Sequence, residues 1–172
     1  MSYLVISSEF PPGPGGIGQH AASFVRALCK KGNIYVLANQ DYTTQEEMEA
    51  FNMYLPENVR FTSFASRKGK KTSIIRIAQS IKLVKKTQPK VIFVSGRFPL
   101  WIGAILKMRF PKIRVEGFVH GTEITLTGNI LSSVTRRAYT KLDRIIAVSN
   151  FTKSLLHESV SAEKVIVVPN GL

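Results

Sequence analysis

Short runs of apolar, mostly β-branched residues recur along the chain, separated by longer segments whose apolar positions return every three or four residues. The short runs predict seven strands, at 3–7, 34–38, 59–64, 91–95, 114–119, 145–149 and 165–168. Most are continuous rather than alternating, as parallel strands covered on both faces must be. In the segment 19–31, Ala21, Phe24, Val25 and Leu28 share one helical face, and Gly32 ends the run. Ile74, Ile77, Ala78, Ile81 and Val84 form a second stripe, expected in the core, with Arg76, Lys82, Lys85 and Lys86 beside it. Thr43 and Thr44 ahead of Glu46 and Glu47 predict a capping box. Segments 136–142 and 151–157 also carry helix signals, the second capped by Ser149. Trp101, within the apolar run 100–108, and Cys29, four residues after Val25, are expected to pack in the core.

Strands and helices thus alternate, without repeats or a low-complexity linker. Right-handed crossovers wind such a chain into a Rossmann-like, three-layer α/β domain over residues 1–172: an open, mostly parallel sheet of about seven strands with helices on both faces. Ligands bind such sheets beyond the carboxyl ends of the strands, so the loops after the strands are where chemistry is sought. Ser8 to Gly18, rich in proline and glycine, joins the first strand to the first helix. Its glycines let backbone N–H groups approach a ligand, and the helix N-terminus favours a phosphate. Gly13, Gly15 and Gly18 formally match G-x-G-x-x-G, with Asp41 soon after the second strand, which spells a dinucleotide site. Against that reading, Glu9-Phe10-Pro11-Pro12 separates the first glycine from the strand, and Asp41 lies past Asn39 and Gln40.

The loop after the fifth strand carries His120-Gly121-Thr122-Glu123. A histidine there can donate a hydrogen bond to a sugar hydroxyl or phosphate, or exchange a proton near neutral pH. Glu123 can accept hydrogen bonds from hydroxyls or cap the next helix. His20 and His157 fall inside predicted helices and read as structural; the three histidines have no metal spacing. Val168-Pro169-Asn170-Gly171 reads as a strand end followed by a turn, and the chain is expected to continue past Leu172.

Composition narrows the class. Hydrophobic residues make up 44% and charged residues 20% of the 172 residues, a balance that folds. One cysteine excludes a disulfide framework, no signal peptide opens the chain, and no window reaches the ~18 apolar residues of a membrane span. A cytoplasmic protein is expected. Charge adds a further feature: 24 basic against 11 acidic residues, net +13, with 15 Lys and Arg and no Asp or Glu between Asn58 and Val115. Such an excess attracts nucleic acid, an anionic membrane or a phosphorylated substrate, or is a solvated face. Nucleic acid is disfavoured, because no reading helix is recognisable and aromatics are not interleaved with the basic run.

Four segments occur in order: Pro11-Pro12-Gly13-Pro14-Gly15-Gly16-Ile17-Gly18, His120-Gly121-Thr122-Glu123, Ile146-Ala147-Val148-Ser149-Asn150-Phe151-Thr152 and Val168-Pro169-Asn170-Gly171. Together they resemble the N-terminal domain of group 1 glycosyltransferases (family 4, retaining, GT-B architecture), along the whole chain. The resemblance implies an acceptor-side half of a two-domain enzyme, inactive alone, whose C-terminal donor-binding half with its Glu-x7-Glu pair is absent here. It implies transfer from a nucleotide-sugar to a glycan, lipid-linked or small-molecule acceptor in cell-surface polysaccharide or glycolipid synthesis, without an essential metal. Gly15, Gly16 and Gly18 would lie against the donor diphosphate or the acceptor. His120 would reach the transferred sugar or its diphosphate, with Gly121, Thr122 and Glu123 beside it, and Asn170 would begin the linker. Arg97, in Ser95-Gly96-Arg97, is a candidate for an acidic or phosphorylated acceptor. Many relatives act at the cytoplasmic membrane face, and the basic segment suits an anionic surface there. The rival readings are an NAD(P)-binding Rossmann domain and a basic, non-catalytic binding module.

Overall fold

The computed structural model describes residues 1–64, 72–121, 124 and 129–169, with backbone alone at 129–131. Seven strands, β1 (Ser2–Ser7), β2 (Asn33–Ala38), β3 (Val59–Ser63), β4 (Val91–Ser95), β5 (Arg114–Val119), β6 (Arg144–Ala147) and β7 (Val165–Val167), form an all-parallel sheet in the order β3-β2-β1-β4-β5-β6-β7. Its helices, on both sides, are α1 (Gly16–Leu28), α2 (Gln45–Met53), α3 (Thr72–Thr87), α4 (Arg97–Arg109), α5 (Asn129–Lys141) and α6 (Asn150–Ser154). The expected Rossmann-like α/β architecture is what forms. The chain divides into two compact units, Met1–Val91 and Ile92–Leu172.

In the first unit β1 pairs with β2 in register from Ser2 opposite Asn33 to Ser7 opposite Ala38, and β2 pairs with β3. Leu4, Ile6, Ile34, Val36 and Leu37 are fully buried, which is why these runs are apolar at successive positions. Helix α2 starts with the expected capping box: Thr44 Oγ1 accepts the Glu47 N–H, and Glu47 Oε2 accepts the Thr44 N–H. The expected core stripe of α3 is corrected. Ile74 is 68% exposed and Ala78 is exposed, whereas Ser80 and Val84 are buried. Ser80 can occupy an apolar site because its hydroxyl donates to the Arg76 carbonyl one turn back, at 2.8 Å. The buried face therefore runs through a serine, and the isoleucine at the start of the helix is left outside. Cys29 is also corrected. It lies in a 3₁₀ turn after α1, half-buried, with its thiol donating to the Arg26 carbonyl.

In the second unit β5 pairs with β6 and β6 with β7. Ile92, Val94, Val115, Val119 and Ile145 are fully buried in the strands, and Leu100, Ile102 and Leu106 in α4. Gly103 and Gly117 admit this packing: a Cβ at Gly117 would sit 2.7 Å from Leu142 Cδ1. Trp101 is half-buried rather than enclosed, because its indole N–H reaches Thr135 Oγ1 at 3.1 Å on α5. Two bases of the acid-free segment find acids outside it, Lys107 with Asp143 at 2.8 Å and Arg114 with Glu116 at 2.5 Å. Helix α6 is capped by Ser149, as expected, but ends at Ser154. His157 thus lies beyond the helix, where its Nδ1 accepts the Ser159 N–H.

Candidate functional site

In the first unit the loop from Ser8 to Gly15 lies at the carboxyl end of β1 and leads into α1. Phe10 anchors it: the ring is buried, stacked on Phe61 at 5.4 Å and edge-on to Phe51 at 6.1 Å. Buried Gln40, just after β2, donates to the Pro11 carbonyl and exchanges hydrogen bonds with Asn52 of α2. The loop is thereby tied to β3 and α2. Its glycines serve the loop itself. Gly15 has a φ of +138°, and a Cβ there would lie 2.0 Å from Glu9 Oε2. A Cβ at Gly18 would lie 3.3 Å from Glu9 Cβ and from the Phe10 nitrogen. Glu9 thus fills the space that Gly15 and Gly18 vacate, whereas Gly16 faces open space. Gly13 is pressed on the Asp41 carbonyl, where a Cβ would come within 2.2 Å. A cavity of about 200 Å3 lies between this loop and the one after β2, lined by Glu9, Asn39, Asp41 and Tyr42 among others.

In the second unit His120 follows β5 directly, and Arg97, half-buried, opens α4 two residues after the end of the adjacent strand β4, with Gly96 between. Ser95, buried at the end of β4, brings its hydroxyl to 2.9 Å from His120 Nε2. Gly121 holds a φ of +104°, a conformation that side-chain-bearing residues rarely take, and so the chain turns sharply after the imidazole. Burial pushes the His120 pKa down to about 4. At neutral pH the ring is uncharged, with one nitrogen a donor and the other an acceptor. This corrects the expectation of proton exchange near neutrality: His120 offers hydrogen bonds there, not a switchable charge.

Of the residues that sequence reasoning selected, the structure brings His120, Gly121 and Arg97 to the carboxyl ends of β4 and β5. Gly15, Gly16 and Gly18 lie at the start of α1. Thr122, Glu123 and Asn170 lie outside the described residues. Two residues were missed as site candidates. Ser95 was seen only as part of Ser95-Gly96-Arg97; its contact with His120 depends on β4 and β5 being neighbours. Glu9 was read as part of a spacer, although an acid inside a glycine- and proline-rich loop is itself a signal. Among the described residues no three His, Cys, Asp or Glu side chains gather as metal ligands, and no helix is long and apolar enough to cross a membrane.

Comparison with known proteins places the chain. The fold is similar to that of sucrose-phosphate synthase from Thermosynechococcus elongatus, with a TM-score of 0.76 and 14% identity over 100% of this chain and 48% of that one. It is also similar to Anabaena HepE in complex with UDP (TM-score 0.68, 15% identity, 100% and 44% covered). UDP-N-acetylglucosamine 2-epimerase from Rickettsia bellii matches with a TM-score of 0.70 and 16% identity, over 97% of this chain and 44% of that one. The chain thus spans about half the length of these proteins. At such identities the likeness concerns the fold, which a synthase and an epimerase share. By sequence, no curated protein matches. The sequence profile of Glycosyltransferase Family 4, in contrast, matches residues 14–172, and the chain belongs to that family.

Proposed function

We propose that this chain is the acceptor-side half of a two-domain glycosyltransferase that moves a sugar from a nucleotide-sugar donor to an acceptor, with retained stereochemistry. The observation that carries the reading is His120, held uncharged beside Ser95 at the carboxyl end of β5, in a chain that belongs to Glycosyltransferase Family 4. A neutral imidazole suits hydroxyl recognition better than charge neutralisation. His120 would donate to, or accept from, a hydroxyl of the transferred sugar, with Gly121 setting its direction. Arg97, one strand away, carries the permanent positive charge that His120 lacks and would meet a phosphate or carboxylate of donor or acceptor. A second half, carrying most of the nucleotide site and the Glu-x7-Glu pair, would complete the enzyme. Its existence is supported by neighbours about twice as long as this chain. UDP in the HepE complex supports a nucleotide-sugar donor. No metal requirement is proposed, and transfer is expected to survive chelator.

The reading includes a cytoplasmic location and docking on an anionic membrane face. Ile74, Ala78, Lys82 and Lys85 are all exposed and recur at the i, i+4, i+8, i+11 spacing of one face of α3. Apolar and basic residues on one outward face suit a lipid interface.

The function is tested by isolating the protein from its native host, weighing it intact and offering it UDP- and GDP-sugars with an acceptor extract. A mass near twice 19.1 kDa and release of the nucleoside diphosphate with retained anomeric configuration are expected. The release is expected in EDTA as well. Conversion of the donor to its epimer without acceptor would replace the transferase reading with an epimerase one.

A further inference from the structure

Ser95 and His120 meet at the carboxyl ends of the neighbouring strands β4 and β5. A pair one step earlier along both strands fixes the meeting. Phe93 precedes Ser95 by two residues and Phe118 precedes His120 by two, and positions two apart on extended chain share a face. The two rings are buried, with centroids 6.2 Å apart. The register that sets phenylalanine beside phenylalanine thus carries the serine to the imidazole.

Burial decides the direction of the hydrogen bond between them. Ser95 is 2% exposed. Among the described residues its hydroxyl has one partner, the His120 ring, with Oγ 2.9 Å from Nε2. If Nε2 carried the ring hydrogen it would donate to Oγ, and the serine's own hydrogen would be buried without an acceptor. A donor buried in that way shifts the equilibrium against its state by about tenfold or more. If the serine donates instead, both groups are satisfied. Nε2 then accepts, and the single hydrogen of a neutral imidazole sits on Nδ1. The ring is neutral, because burial holds its pKa at about 4.

Building on the transferase reading above, we infer that Ser95 is a positioning residue that holds His120 as its Nδ1–H tautomer, so that His120 meets the substrate as a hydrogen-bond donor. The choice between donating and accepting is thereby settled by the strand next door. An oxygen lone pair, of a sugar hydroxyl or of the diphosphate, is what Nδ1 recognises; a hydroxyl hydrogen finds no acceptor there.

The test is nitrogen NMR, at neutral pH, of the protein carrying isotope-labelled histidine, with the His120 signals identified by their loss in His120→Asn. Protonated and unprotonated ring nitrogens resonate far apart, and their couplings to the ring C–H protons tell Nδ1 from Nε2. The parent should show a protonated Nδ1 and an unprotonated Nε2. Ser95→Ala should move Nε2 toward the protonated position, and Ser95→Thr, which keeps the hydroxyl, should restore the parental pattern. A protonated Nε2 in the parent would overturn the assignment whether or not any variant folds. So would the parental pattern in a folded Ser95→Ala. Donor turnover by the host-isolated protein and its variants gives a second readout. Ser95→Ala should lower kcat about tenfold with the KM for the donor little changed, and Ser95→Thr should recover the rate. Parental kcat in Ser95→Ala would remove the positioning role alone. No turnover of any donor would remove the transferase reading beneath it, while the spectrum still decides the tautomer.

Discussion

His120 is held uncharged by burial, and the consequence reaches stability as well as chemistry. Its pKa in the fold is about 4, against 6.5 when unperturbed. Between those values the unfolded chain binds a proton that the folded chain refuses, so stability rises with pH there. The contribution is complete above about pH 6.5 and is lost progressively as the pH falls toward 4. Melting of the parent and of His120→Asn, compared from pH 7 to pH 4, should show the parent losing more. Parallel curves would mean that the ring is not desolvated. Gly15 supplies a second residue-scale prediction. Gly15→Ala meets both a φ of +138° and the Glu9 carboxylate, and should lower the unfolding free energy by roughly 1–3 kcal/mol in urea titration. An unchanged midpoint would show that the loop relaxes freely. Legibility at this scale was uneven. His120 could be found because a histidine followed by glycine at a strand end is a local signal. Ser95 and Glu9 could not be assigned roles, since one acts through strand neighbourhood and the other through space left by residues six and nine positions on.

At the scale of elements the strands were the most readable feature. Most are apolar at consecutive positions because both their faces are covered, whereas β3, at one edge of the sheet, exposes Arg60, Thr62 and Ser63. The β6 and β7 ends came out shorter than expected: Val148 and Ser149 lead into the cap of α6, where Ser149 accepts the Thr152 N–H. Helix α3 misled, because apolar periodicity cannot reveal a buried serine that satisfies its hydroxyl on its own backbone. Its exposed Ile74-Ala78-Lys82-Lys85 face yields a prediction. Liposome flotation should recover more protein with anionic than with neutral vesicles, since each basic residue near such a surface contributes ~1 kcal/mol. Lys82→Glu with Lys85→Glu should abolish the difference. Equal recovery on both vesicle types would assign this face to solvent or to another partner.

Over the whole molecule, alternation of strand and helix was enough to foresee a parallel three-layer sheet, because right-handed crossovers leave few alternatives. The strand order required the structure, as did the division into the units Met1–Val91 and Ile92–Leu172. In the loop that carries the formal dinucleotide fingerprint, Glu9 occupies the space beside Gly15 and Gly18, whereas Gly16 faces open space. The net charge of +13 describes partners more than fold, and part of it is spent on the ion pairs of Lys107 and Arg114. The central claim is sugar transfer that depends on an uncharged His120. Its most direct test is the rate of nucleoside diphosphate release from the donor that the host-isolated protein accepts, for the parent and for His120→Ala. A fall of about 10²–10³-fold with the melting transition retained is predicted, in line with loss of one aligned hydrogen-bonding group from a reacting centre. A folded variant that turns the donor over at the parent's rate would contradict the account.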